Sequence, residues 1–508
     1  MRRFAAVAIA LWAGFAPAAA VDVRPPRAAA EDPPRTGFEE RDGETWTTHE
    51  EELAFLAKVD AGSPHAAVDV IGKTAEGRPI HLVRIGVPAP PTAAQARSRP
   101  VELHVCSQHG NEPAGREACL MVLRDLAFAT DAATLTQLRE QTVLFVPSAN
   151  PDGREANSRT NSEGVDVNRD HLNLASAEAK AMARVVRDWQ PEIAIDHHEY
   201  GPGTPVLYDD EVLYLWPRNL NVDEEVHDLG VEFSKDVLAP CLEEAGHTSD
   251  EYGVDAVLAT DVQQTAGGGD EGIMRNAAGL RHVVGILVES AVTLNPTNGP
   301  DEATTAGQQR RRVASQVATL RCTLGYMRAT GAEVAAATSG AARRAVVEGR
   351  TGSRPVYFAG QDEDTTVLQN GDAEVSAEAP CAYDLTAEQL RIVRPILDLH
   401  GIATAPRGTG ARVTMAQPAE PVIPLLLDER NTDRAETDAT PVQSCGAGAP
   451  PPGRPPGGGP GGPGGPGGPG GPGAMPGIPA TGGSGGAAVA AVLATAGAVL
   501  LRRAAPGR

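Results

Sequence analysis

Residues 101–113 read Val101-Glu102-Leu103-His104-Val105-Cys106-Ser107-Gln108-His109-Gly110-Asn111-Glu112-Pro113. The first six suit a short apolar β-strand, and the chain leaves it with His109 and Glu112 three residues apart. A His and a Glu so spaced can converge on one ion, and two His with one Glu form a catalytic zinc donor set. The third ligand is expected from another strand end, Ile193-Ala194-Ile195-Asp196-His197-His198-Glu199-Tyr200. There Asp196 and His198 share one face of an extended chain. Chemistry alone does not choose between the neighbouring His197 and His198.

Outward from these two stretches the pattern alternates. Strands are expected at Ile80–Ile85, Val101–Cys106, Thr142–Val146, Glu192–Asp196 and His282–Val288. Helices are expected at Thr48–Val59, Gly115–Ala129, Ser176–Trp189, Asp223–Ala245 and Ala306–Arg328. Such alternation predicts an α/β fold, a mixed, mainly parallel sheet flanked by helices. Functional residues then gather beyond the carboxyl ends of the strands. Glu289 ends the apolar run Val283–Val288, where limited hydration would raise its pKa towards that of a useful base. Between the ligand stretches lie the turn Asn150-Pro151-Asp152-Gly153, then Arg159, and then Gly164-Val165-Asp166-Val167-Asn168-Arg169. Arginines clustered here suit carboxylate or oxyanion binding.

The chain has 508 residues, 44 Lys+Arg against 66 Asp+Glu, and a formal charge of −22. That balance argues against nucleic acid as a partner, which demands basic patches. Hydrophobic content of 41% leaves ample material for a core. Residues 1–20 combine a basic start, a short apolar run and Ala18-Ala19-Ala20, the pattern of a signal peptide. Residues 446–477 are mostly Gly and Pro and read as a solvated spacer. Residues 478–508 open with Ile478-Pro479-Ala480-Thr481-Gly482, followed by an apolar run and Arg502-Arg503. This resembles a Gram-positive sortase sorting signal, with Ile478 in the usual Leu position. The resemblance implies a secreted protein cleaved after Thr481 and anchored covalently to cell-wall peptidoglycan. Six cysteines permit three disulfides without deciding the pairing. The Ala-, Gly- and Arg-rich stretch 331–352 suggests a boundary, followed by a small C-terminal module at 355–442. That module contains the helical Thr386–Leu397 and the apolar Val422–Leu427, and no catalytic constellation.

Six pieces occur in one order: Gly77-Arg78-Pro79-Ile80, His109-x-x-Glu112, Asn150-Pro151-Asp152-Gly153, Gly164 to Arg169, Asp196-x-His198 and Leu287-Val288-Glu289. Together they resemble the zinc carboxypeptidase family, the M14 type, across about residues 45–330. The resemblance implies one Zn2+ held by His109, Glu112 and His198, with His197 a non-ligand. It implies Asp166 as the acceptor that holds a ligand histidine, Arg159 polarising the scissile carbonyl and Glu289 as general base. Asn168 and Arg169 would bind the terminal carboxylate of a peptide substrate. Family members often carry a Tyr on a mobile loop upstream of that Glu, whereas Gln264–Arg275 holds none. Its glycines suggest a flexible lid, and Arg275 suggests a preference for an acidic side chain. The short interval between Ala20 and Trp46 leaves no room for a propeptide of family length. An amidoacid deacylase of the succinylglutamate desuccinylase or aspartoacylase branch also uses His-Gly-x-Glu. A cell-wall peptide hydrolase and an inactive surface adhesin are the remaining alternatives.

Overall fold

The computed structural model describes residues 33–201, 208, 210–252, 268–294, 302, 304–358, 374–376, 379–432 and 437–445. The expected signal peptide, spacer and sorting signal lie outside the described residues. One sheet of eight strands organises the molecule: β1 (Ala66–Lys73), β2 (Pro79–Ile85), β3 (Val101–Cys106), β4 (Thr142–Val146), β5 (Ile193–Tyr200), β6 (Val212–Leu215), β7 (Ser249–Glu251) and β8 (Val284–Ala291). Their spatial order is β1-β2-β4-β3-β5-β8-β6-β7. The centre, β4-β3-β5-β8, is parallel, while β2 and β6 join it antiparallel. β3, β4, β5 and β8 are buried along their whole length, as strands covered by helices on both faces must be. The α/β expectation holds, and all five anticipated strands are present. β1, β6 and β7 went unforeseen; β7 in particular is Ser-Asp-Glu, with no apolar signal to read.

Helices Ala114–Ala127 and Thr305–Thr351 pack against each other on the face that carries Val143 and Phe145. Helix Ala177–Trp189 covers the other face, its Ala181, Met182 and Val185 among Leu103, Leu144 and Ala194. The single helix expected over Asp223–Ala245 comes as three consecutive helical segments of differing pitch, widened at Phe233–Leu238 just before Pro240. A proline lacks the N–H that a regular helix would need there.

The boundary expected at 331–352 is instead the second half of the helix Thr305–Thr351. Its glycines serve packing: a Cβ on Gly349 would lie 2.1 Å from the Met415 carbonyl oxygen. Beyond this helix come the paired β9 (Val356–Phe358) and β10 (Glu374–Ser376). A second sheet follows, built from β11 (Ala382–Leu385), β12 (Ala405–Arg407), β13 (Gly410–Thr414) and β14 (Thr440–Val442). Tyr383, Leu397, Val413 and Leu426 from this region share a core with Val284 and Ile286 of β8 and with Trp216 just after β6. The apolar Val422–Leu427 forms a buried helix. All six cysteines are paired, Cys106–Cys119, Cys241–Cys322 and Cys381–Cys445.

Candidate metal centre

At the carboxyl end of β3 the chain turns through Ser107, whose φ of 57° is left-handed, and delivers His109 and Glu112. Gly110 between them cannot carry a side chain. A Cβ there would sit 2.0 Å from the Gly153 carbonyl carbon and 2.1 Å from the Arg154 nitrogen. The turn that presses on it is locked by Asn150, which accepts from the Gly153 N–H at 2.9 Å and donates to the Gln108 carbonyl at 3.0 Å. Asp152 of the same turn accepts from Thr74 Oγ1 and Arg78 Nη1, each at 2.7 Å. Two of the separated sequence pieces, around Arg78 and Asp152, are thus one scaffold beneath His109.

His198 arrives from β5. His109 Nδ1 and His198 Nδ1 are 3.0 Å apart, and each lies 2.8 Å from a Glu112 oxygen. All three side chains are buried, and their donor atoms fall within 4.8 Å of one another. The outer nitrogens are committed elsewhere: His109 Nε2 faces Asp166 Oδ1 at 3.2 Å and His198 Nε2 faces Asp196 Oδ2 at 2.8 Å. A carboxylate only accepts, so each Nε2 carries the proton and each Nδ1 presents its lone pair to the centre. Two imidazole lone pairs and a carboxylate converging in this way fit zinc. Burial opposes charge on all three; against it, the two histidines hold Glu112 down to about 2, Glu112 and then Asp166 push His109 up, and Asp196 followed by Glu112 pushes His198 up.

The register places His198 opposite Glu289 on the adjacent parallel strand β8. Burial, opposed by the nearby histidines and reinforced by Glu112, pushes the Glu289 carboxyl up to about 7. Its Oε2 is buried and has no hydrogen-bond partner among the described residues. Arg159, nearly half exposed, bonds Asp166 Oδ2 through Nε at 3.0 Å and reaches His109 Nδ1 at 3.2 Å. Arg169 is also accessible and lies 3.5 Å from Asp270. Asn168 differs from the expectation of a carboxylate binder. It is buried; its amide donates to Asp196 Oδ2 at 3.0 Å and accepts from the Met274 N–H at 2.8 Å. Its polar atoms are therefore used inward, fixing the group that orients His198.

Arg275 is buried, not a surface residue, and donates to the Gly268 carbonyl at 2.9 Å. Burial, then the charges of Arg169 and Arg218, pull its pKa down to about 10. Residues 264–267 of the expected lid lie outside the described residues. From Gly268 onward the segment is pinned: Asn276 Nδ2 donates to Gly268 O and Asp270 O, and Asn219 Nδ2 to Gly269 O.

Several supporting residues had no sequence signal. Gln108 donates to Asp196 Oδ1 at 2.6 Å and accepts at 2.7 Å from His171. Gln316, from the helix Thr305–Thr351, donates to the His198 carbonyl at 2.8 Å. Tyr252, half-buried beyond β7, packs on Leu215 and Leu287, and burial followed by the charge of Glu289 raises its pKa. His197 points to the opposite face, between His104 Nδ1 at 3.0 Å and Gln316 Oε1 at 2.7 Å. The sulfurs of Cys106 and Cys119 near it are joined to each other and cannot ligate a metal.

Residues 52–229 match the family described as zinc carboxypeptidase. Carboxypeptidase 2 of Trichophyton rubrum is 32% identical over 189 residues, 36% of this chain and 35% of that protein. Carboxypeptidase E of Caenorhabditis elegans is 31% identical over 121 residues, 21% of this chain and 25% of that one. The chain thus spans about a third or less of the length of these curated relatives. Among solved structures, a metallo-carboxypeptidase from Burkholderia cenocepacia aligns with a TM-score of 0.41 at 20% identity, over 55% of this chain and 70% of its own. Carboxypeptidase A from Helicoverpa armigera aligns with a TM-score of 0.43 at 17% identity, over 58% and 74%. The matched residues contain His109, Glu112, Arg159, Asp166 and His198, and stop before Glu289. Over residues 52–229, then, the chain is similar to the zinc carboxypeptidase family.

Proposed function

We propose that the protein is a zinc metallocarboxypeptidase that removes C-terminal residues from peptides. The observation that carries this reading is the convergence of His109, Glu112 and His198 at the carboxyl ends of the central strands, beside a buried Glu289 oxygen with no hydrogen-bond partner among the described residues. Zinc, when bound, supplies Lewis-acid character that makes water a nucleophile near neutral pH. Glu289 takes the proton from the attacking water and returns it to the departing amine. A carboxyl with a pKa near 7 suits both transfers. Arg159 donates to the oxygen that gains charge, and Arg169 pairs with the substrate's terminal carboxylate. Asp166 and Asp196 hold the two histidine rings, with Asn168 and Gln108 holding Asp196. Arg275 gathers with Arg169 and Arg218 around the substrate's side-chain end, favouring C-terminal Asp or Glu. The enzyme is exported and attached to wall peptidoglycan through Thr481 by a sortase.

The test is a panel of peptides ending in Phe, Leu, Lys or Glu, with and without chelator, alongside metal analysis. One zinc per chain, chelator-sensitive release of single C-terminal residues and faster release of Glu than of Leu are expected. Normal turnover by Glu289→Gln would overturn the mechanism. Equal rates for Glu and Leu would remove the role given to Arg275. Anchoring is checked by fractionating cells that express the Thr481→Ala variant, which should release the protein from the wall.

A further inference from the structure

The opposite edge of the main sheet holds a second concentration of charge. Val101 at the start of β3, Glu192 just before β5 and Val283 just before β8 floor a cavity of about 420 Å³. His198 lies six residues beyond Glu192, about 20 Å away at the rise of an extended strand. The far wall comes from Thr338, Ser339 and Ala342 of the long helix and from His400, Pro418 and Ala419 of the C-terminal region. The region in which sequence shows no constellation therefore completes a cavity.

Four arginines line it, Arg97, Arg99, Arg187 and Arg281, with Glu192 the one carboxylate, in a chain whose formal charge is −22. Arg187 is neutralised by Asp188, at 2.7 Å and 3.0 Å. Arg99 donates to the Val87, Leu138 and Arg139 carbonyls. Among the described residues, the guanidinium groups of Arg97 and Arg281 have no hydrogen bond or ion pair. Burial, then the charge of Arg187, pulls the Arg281 pKa down to about 10. The charge of Arg281 is felt at His400, which burial already keeps neutral. His400 and His282 spend their Nε2–H on the Leu172 and Pro418 carbonyls. Glu192 accepts the Val101 N–H at 2.5 Å, and burial pushes its carboxyl up to about 7. With Asp188 bonded to Arg187 and Glu192 to the Val101 N–H, Arg97 and Arg281 present positive charge to the recess beside Trp189, Val186 and Ala342, which is the chemistry of a site.

We propose that this cavity is a second ligand site, separate from the metal centre, which binds a small organic anion. The ligand has a carboxylate or phosphate head held by Arg281 and Arg97, and an apolar body lying against Trp189 and Val186. Benzoate and phenyl phosphate are the probes, titrated calorimetrically into the full chain and into Arg281→Met and Arg169→Met variants. At least one probe should bind saturably to the wild type and to Arg169→Met, and at least tenfold more weakly to Arg281→Met. Peptide hydrolysis by Arg281→Met should match the wild type. If Arg281→Met does not fold, the exposed Arg97→Met takes its place with the same expected loss. Equal binding to wild type and Arg281→Met, loss of binding in Arg169→Met alone, or no saturable binding of either probe would overturn the proposal.

Discussion

His197 and His198 are neighbours in sequence, both fully buried, and their chemistry is opposite. Strand alternation sends His198 to the face shared with Asp196, where two carboxylates push its pKa up. It sends His197 to the face shared with His104 and Glu102, where burial lowers both histidines to about 3. On that side one hydrogen-bonding direction satisfies every group. The His197 Nδ1–H donates to Gln316 Oε1, so its Nε2 accepts from the His104 Nδ1–H. His104 Nε2, 2.7 Å from Glu102 Oε1, then accepts from a protonated Glu102, whose other oxygen takes a bond from Gln141. Burial alone raises the Glu102 pKa well above the carboxylate range, consistent with that neutral form. The contrast teaches that a buried histidine becomes a ligand through the carboxylates beside it. A neutral chain of partners makes it a structural element instead.

Exchanging the roles breaks the comparison most sharply. His198→Gln should cost at least about 10³-fold in kcat/KM and abolish stoichiometric zinc, because the donor set is cut. His197→Gln should keep zinc and lose about 1–3 kcal/mol of stability, because His104 is left with an unmatched partner. Metal analysis beside chemical denaturation reads both. Glu289→Gln should lower kcat by about 10²–10⁴-fold with zinc retained. Asp196→Ala should weaken zinc by about 10–100-fold in a competition titration, by releasing the His198 ring.

The smallest effects sharpen the neutral side. Glu102→Gln preserves a donor towards His104 and should change stability by less than about 1 kcal/mol, whereas Glu102→Ala should cost about 1–3 kcal/mol. The pH dependence has a definite sign. Native Glu102 keeps a proton that the unfolded chain releases above about 4.5, so its stabilisation is complete below that value. It is lost as pH rises, at up to about 1.4 kcal/mol per unit for one group. Denaturation between pH 5 and 7 should show a shallower fall for Glu102→Gln than for the wild type. Nitrogen shifts that place the proton on Nε2 of either His104 or His197 would refute the assigned chain.

Much of the candidate metal centre was legible because its candidate ligands sit at strand ends with short local spacings. His109-x-x-Glu112 follows β3 directly, and Asp196-x-His198 lies within one strand. The inward use of Asn168 was hidden, since its partners Asp196 and Met274 are distant in sequence. Glycines at 331–352 looked like a break because composition does not distinguish a linker from a helix packed against a backbone.

Sequence alone determined the α/β pattern, the positions of the strand ends and the residue types offered there, because periodicity and local spacing are properties of neighbouring residues. Only the tertiary structure set His104 and Gln316 against His197, turned Asn168 inward onto Asp196, and seated Glu289 opposite His198. It alone brought Arg97, Arg187 and Arg281 around one cavity with His400. Those outcomes depend on desolvation and on contacts between residues far apart in the chain, which register and packing set.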